Sequence, residues 1–319
     1  MAPLATYTTL LTPEQVTKLR ELLQELGFEF SAKQYTLFFG QKNKLSVAAY
    51  EKGPKVLVQG KGVEEFVQFE LEPKILGEAK LGYDEIHSPE MFEPHFGVDE
   101  SGKGDFFGPL VIAGVYVDRR IARKLMEGGV QDSKRITSDA RIRAIAETIR
   151  QTSMGLNDVV LIGPAKYNEL YENFGNLNKL LAWGHARVIE NLLAKKPDCP
   201  RSLSDQFADA RLIEQSLFGH GRKIQIQQRP RAESDIAVAA ASILAREGFI
   251  NWLDREGKKL GMRLERGVSA GVKTTAQKLV ESKGPEALRQ VAKVHFRTAH
   301  SVAPAHFAEP PPRQEWRRS

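Results

Sequence analysis

Residues 97–117 read GVDESGKGDFFGPLVIAGVYV. Two adjacent acids, Asp99 and Glu100, close a short apolar run, FGVD, that begins at Phe96. Gly102, Lys103 and Gly104 follow, and LVIAGVYV (110–117) is an apolar, β-rich run. The pattern predicts a strand, a glycine-rich turn and a second strand, with the acids at the edge of the turn. Adjacent side chains of an extended backbone leave on opposite faces, so a bend between Asp99 and Glu100 is expected if both serve one metal region. Hard divalent cations such as Mg²⁺ take carboxylate oxygens, usually one or two per ion together with substrate phosphate. Glycines leave backbone N–H groups open to an approaching phosphodiester or sugar. On spacing alone, a β-hairpin with a Gly-rich tip and two solvated acids accounts for the same residues.

The stretch also contains G-x-x-x-x-G-K, from Gly97 to Lys103, the outline of a phosphate-binding P-loop. Three features argue against a nucleotide triphosphatase. The next residue is Gly104, where a hydroxyl would be needed to hold Mg²⁺. Asp99 and Glu100 would sit inside an anion cradle and repel phosphate. A strand follows, where a P-loop requires a helix N-terminus.

Working outward from this stretch, helical patterns occupy 138–151, 176–195, 236–254, 274–281 and 285–293. Strands mixed with long helices predict an α/β domain over residues 95–302. Upstream, Val16, Leu19, Leu22, Leu23 and Leu26 are spaced as one helix face, with Thr12 as N-cap, Pro13 in the first turn and Gly27 as terminator. Short β-type runs follow at 35–40, 44–53 and 55–60. Residues 1–70 thus read as a small α+β module and residues 71–94, with three prolines, as a linker. The Pro-rich tail, 303–319, reads as disordered.

The 319 residues suffice for two domains. No run of about 18 apolar residues occurs, so no membrane span is expected. The opening MAPLATYTTLLTPEQ lacks a basic segment followed by an apolar one, so no secretory signal is expected. Cys199 is the only cysteine, which excludes an intrachain disulfide or a cysteine zinc site and fits a reducing cytoplasm. The net charge of +6 favours a polyanionic partner or simple solubility. Residues 1–80 carry ten Lys+Arg and ten Glu with no Asp, so the whole excess lies in residues 81–319.

GVDESGKGDFFGPLVIAG resembles the first active-site motif of the type 2 ribonucleases H, in the ribonuclease HIII form, which has Gly-Lys-Gly where ribonuclease HII has Gly-Arg-Gly. QDSKRI (131–136), KYNELYENFGNLNKLLAWGHARVIENLL (166–193), SDQFA (204–208), RAESDIAVAAASILAR (231–246) and KVHFRT (293–298) continue the resemblance in family order. It implies a ribonuclease H-like mixed sheet flanked by helices, preceded by an α+β module resembling the TATA-binding-protein fold. It also implies two-metal-ion hydrolysis of the RNA strand of RNA/DNA hybrids, leaving 5′-phosphate and 3′-hydroxyl ends, by a cytoplasmic monomer using Mg²⁺ or Mn²⁺. Asp99, Glu100, Asp205 and Glu233 would be both the catalytic acids and the metal ligands. Asp235, two residues from Glu233, is the competing fourth acid and otherwise the N-cap of the next helix. Ser101, Gly102, Lys103, Gly104 and Lys134 would contact substrate, the glycine turn beside the ribose 2′-OH that separates RNA from DNA.

In the N-terminal module Lys33, Lys42 and Lys44 interleave with Tyr35, Phe38 and Phe39. The lysines are expected to touch phosphates, given the resemblance, and the aromatics read as sheet core. His185 and His295 read as packed residues, and no His-x₃-His pair supports zinc. One departure bears on specificity. ERGVSAGVKTTAQKLV (265–280) lacks the tyrosine with which ribonuclease HII recognises an RNA–DNA junction. That favours cutting within RNA stretches over cutting at single embedded ribonucleotides. Outside the enzyme class, the alternative is a nucleic-acid-binding protein with an inactive nuclease-like domain.

Overall fold

The structure is a computed structural model describing residues 5–77, 88–130, 133, 136–218 and 223–309. It divides into two units, Met1–Glu90 and Met91–Ser319, each with its own sheet and core.

The first unit holds five strands: β1 (Thr6–Leu10), β2 (Glu29–Ser31), β3 (Thr36–Lys42), β4 (Leu45–Tyr50) and β5 (Lys55–Gly60). They pair antiparallel throughout, in the order β1-β5-β4-β3-β2. Helix Pro13–Glu25 starts at a capping box, in which Thr12 and Gln15 each bond the other's backbone N–H. Its Val16, Leu19, Leu22 and Leu23 pack with Phe38, Val47, Ala49, Val56 and Val58.

The expected linker from residue 71 is corrected as far as Leu76. Helix Val63–Phe66 continues with π-helical winding through Val67–Leu76, and Leu71 and Ile75 are buried in this unit's core. The signal is an apolar residue every fourth position: Val63, Val67, Leu71, Ile75. Gln15 Nε2 donates to the Ile75 carbonyl at 3.1 Å and ties the two helices together. Residues 78–87 of that linker lie outside the described residues.

The second unit is built on β6 (His95–Ser101), β7 (Leu110–Val117), β8 (Asn157–Ile162), β9 (Arg201–Asp205) and β10 (Gln225–Arg229), in the order β10-β9-β6-β7-β8. β10, β9 and β6 run parallel, and β6, β7 and β8 antiparallel, giving the mixed sheet expected from the resemblance. Helices cover both faces. Helix Ile236–Leu260 approaches so closely that a Cβ on Gly97 would lie 2.6 Å from Ala237 Cβ and overlap the helix backbone. Helix Leu177–Lys195 lies on the other face, where Val188 and Leu192 sit over Gly114. Among the described helices Ile236–Leu260 alone has the length and apolar composition of a membrane span, and 78% of its most apolar stretch is buried inside this unit.

The disordered reading of the tail is corrected in part. Ala303 and Phe307 are buried in the main core, His300 Nδ1 lies 2.8 Å from the Phe307 carbonyl, and the Arg289 guanidinium sits 5.5 Å from the Phe307 ring. One aromatic anchor in a polar, Pro-rich context leaves no periodic signal, which is why composition misses it. Residues 310–319 lie outside the described residues. Phe307→Ala should lower stability by about 3 kcal/mol in denaturant unfolding, as for other buried aromatics. An unchanged midpoint would show that this segment contributes nothing to the core.

Candidate active site

β6 remains extended through Ser101, so Asp99 and Glu100 leave on opposite faces, and the expected bend between them is absent. Asp99 points with Gly97 toward helix Ile236–Leu260, where the nearby Ser242 hydroxyl favours its charged form. Glu100 points toward helix Leu177–Lys195, where His185 Nε2 lies 3.1 Å from Glu100 Oε2. The two carboxylates still meet one space, because both stand at the end of the strand. Asp205 ends the adjacent parallel strand, one residue past the Val98–Ser204 pairing. Glu233 sits in the short turn Ala232–Ser234 that leads into helix Ile236–Leu260. Leu203, Ala232 and Val238 form a small buried cluster beneath these two segments, and Asp205 Oδ1 accepts from Ala232 N at 3.3 Å. Asp99, Glu100, Asp205 and Glu233 together line a cavity of about 430 Å³.

The choice between the two candidate fourth acids is structural. Asp235 is buried and caps helix Ile236–Leu260, accepting from Ala237 N at 2.9 Å, and its Oδ1 lies 3.0 Å from His95 Nε2. It is committed to the fold, whereas Glu233 faces the cavity.

The electrostatics of the first pair are asymmetric. Burial, then the neighbouring Glu100 charge, pushes the Asp99 carboxyl up to about 8, with Asp205 adding to the rise. Burial would also raise Glu100, but the His185 hydrogen bond and the Lys103 ammonium outweigh it and hold Glu100 below its ordinary value. Lys103 Nζ stands 3.5 Å from Glu100 Oε1 and 5.7 Å from the Phe207 ring. A metal-free site therefore carries less negative charge than four ionised carboxylates would.

Ser101, Gly102, Lys103 and Gly104 all line the cavity, as their sequence positions predict. Gly102 has φ +91°, and a side chain there would run into the Pro109 carbonyl and the Phe249 ring, so only glycine makes this turn. Lys134 lies outside the described residues, but its neighbour Ser133 lines the cavity and shares a 2.6 Å hydrogen bond with Ser242. The three lysines of the first unit have different immediate surroundings. Lys33 sits over the Phe39 ring at 4.6 Å, whereas Lys42 Nζ donates to the Leu26 carbonyl at the end of the first helix. Lys44 is exposed in the β3–β4 turn. Phe38 is core, as read, while Tyr35 is 71% exposed.

The sequence reading missed Ser242, Arg246 and Phe249, which line the cavity from one face of helix Ile236–Leu260. Their signal is present: Ser242 and Arg246 are polar residues four apart that follow and interrupt the apolar first half of the helix. Arg246 also donates to the Ser133 carbonyl.

The family model described as Ribonuclease HII matches residues 96–299. The ribonuclease HIII of Protochlamydia amoebophila is 41% identical over 302 residues, covering 95% of this chain and 98% of that protein. The chain belongs to the ribonuclease HIII family. A second ribonuclease HIII, from Chlamydia abortus, is 42% identical over 298 residues, covering 93% of this chain and 97% of its own. The crystal structure of Bst-RNase HIII in complex with Mn²⁺ matches with a TM-score of 0.65 at 27% identity, covering 94% of this chain and 99% of that one. The ribonuclease HIII frame thus spans both units.

The donor set suits a divalent cation of the hard kind. Its oxygens are carboxylates, and Asp99 is held toward its protonated form by burial and by like charge, a cost that a cation in the cavity would remove. Among the described residues no three His, Cys, Asp or Glu side chains close around a single point.

Proposed function

We infer that this chain is a metal-dependent endoribonuclease that hydrolyses the RNA strand of RNA/DNA hybrids. The observation that carries the reading is the convergence of Asp99, Glu100, Asp205 and Glu233, from three separate chain segments, on one cavity rimmed by the Gly102-Lys103-Gly104 turn. Asp99, Glu100, Asp205 and Glu233 would hold Mg²⁺ or Mn²⁺, which when bound would supply an activated water and charge stabilisation for a leaving 3′ oxygen, the chemistry that gives 5′-phosphate and 3′-hydroxyl ends. The chain's own groups orient the substrate. The glycine turn admits the ribose and scissile phosphate to backbone N–H groups, and Lys103 adds positive charge over the site. Ser101 adds a hydroxyl at the cavity wall.

The test is cleavage of two end-labelled duplexes, an RNA/DNA hybrid and DNA with one embedded ribonucleotide. Cutting of the hybrid alone is expected, since residues 265–280 lack a junction-reading tyrosine. Cutting of both would shift the specificity toward that of ribonuclease HII. Cutting of neither with Mg²⁺ or Mn²⁺ would leave a nucleic-acid-binding protein.

The first unit is proposed to hold substrate, with Lys33, Lys42 and Lys44 exposed for phosphate contact and Tyr35 exposed as well. A deletion that tests this must remove residues 1–76, because Leu71 and Ile75 belong to that core. It should weaken hybrid binding and flatten the dependence of log affinity on log salt. Equal affinity and slope in the truncated chain would remove the unit from substrate binding.

A further inference from the structure

Glu100 is gripped at both oxygens. Lys103 approaches Oε1 from the glycine turn of its own strand, and His185 approaches Oε2 at 3.1 Å from helix Leu177–Lys195, 85 residues away in sequence. His185 is fully buried, and its ring packs 4.9 Å from Phe207, two residues beyond Asp205. The same Phe207 ring lies under the Lys103 ammonium. Glu100, His185, Phe207 and Lys103 thus form a closed circuit joining β6, helix Leu177–Lys195, the end of β9 and the glycine turn. Among the described residues His185 Nδ1 is buried with no hydrogen-bond partner. An N–H there would be left unsatisfied, so the ring hydrogen belongs on Nε2, where it donates to Glu100.

An apolar residue would fill this helix–sheet interface at lower cost than a ring with one orphaned nitrogen. The histidine therefore has a use other than packing. A carboxylate at the end of a strand turns freely about its side-chain torsions, and a donor fixed by the opposite layer removes that freedom. We propose that His185 is a positioning residue, which orients Glu100 for metal binding through Nε2 and is itself in contact with neither metal nor substrate. This inference rests on the reading of Glu100 as a metal ligand given above.

The experiment compares full-length His185→Phe and His185→Gln with wild type, beside Asp99→Asn. Phenylalanine keeps the ring volume against Phe207 and removes the donor. Glutamine can return an N–H near the position of Nε2. Thermal unfolding establishes that each variant is folded. Mn²⁺ binding is then measured calorimetrically without substrate, and kcat and KM for an RNA/DNA hybrid are measured across a Mg²⁺ series. For His185→Phe, Mn²⁺ affinity and kcat should each fall ~10- to 100-fold, the range for losing a group that orients a metal ligand, with KM little changed. His185→Gln should recover most of both. Wild-type Mn²⁺ affinity in His185→Phe, or no recovery in His185→Gln, overturns the inference. If Asp99→Asn is inert while His185→Phe behaves as wild type, only the role of His185 fails. If Asp99→Asn retains full activity, the metal site itself is misassigned and the inference falls with it.

Discussion

Asp99→Asn should lower hybrid cleavage by at least roughly 10³-fold, the upper end for losing one preorganised electrostatic group. The amide is isosteric and can keep the Ser242 contact, so the change removes charge and leaves shape. A second readout separates this from simple damage. In the unfolded chain Asp99 titrates near 3.8, whereas in the folded, metal-free chain it titrates near 8. Between those values the folded state holds a proton that the unfolded state has released. The contribution of Asp99 to metal-free stability is therefore present below about pH 4 and is lost as pH rises through about 8. Asp99→Asn abolishes that loss, so the metal-free variant should be more stable than wild type above neutrality and its stability should depend less on pH. An inactive variant that is also less stable at pH 8 would mean that the residue serves the fold. A variant with substantial activity would exclude Asp99 from the metal site.

Gly97→Ala should be among the most damaging single methyl additions in the catalytic unit. The added carbon would lie 2.6 Å from Ala237 Cβ and closer still to the Ala237–Val238 peptide. Backbone cannot swing aside as a long side chain can, so helix Ile236–Leu260 must lift off the sheet. Overpacking of a well-filled core commonly costs 1–3 kcal/mol, and a clash with helix backbone belongs at or above about 3 kcal/mol. The displaced helix carries Ser242 and Arg246 and begins just after Glu233, so activity should fall together with stability. Chemical denaturation against wild type, with hybrid cleavage measured below the transition, checks both. A shift below 1 kcal/mol with normal cleavage would mean that the strand and helix are not in the contact described.

The catalytic unit was legible because its information is local. FGVD, the glycine turn and LVIAGVYV lie within 22 residues, and the turn's sharpest requirement, Gly102 at φ +91°, is met by the one residue type that meets it without strain. Asp205 and Glu233 were reached through motif resemblance, since the polar neighbourhood of each gives little strand or turn signal. Glu233 and Asp235 could not be separated by spacing. What separates them is His95, 140 residues upstream of Asp235, a partner that no local pattern reveals. The role of His185 was hidden for the same reason. Its helix reads as a packed apolar segment, which it is, and the contact with Glu100 exists only once the sheet is formed. β1 and β2 escaped notice because TYTTL and EFS are short and largely polar, and the winding of Val67–Leu76 because Pro73 lies within a helix of unusual period.

Neighbouring carboxylates that face away from each other, each secured to a different helical layer, make the distance between the layers part of the chemistry. Moving the peptide DESGKG to another scaffold would bring both acids and neither of their anchors. Shortening the catalytic unit from one end would not yield a weaker nuclease, because the segments that line the centre run from Asp99 to Arg266 and leave no independent half. On heating, cleavage should disappear along the same curve as the near-ultraviolet signal of the packed core, with no active intermediate between them.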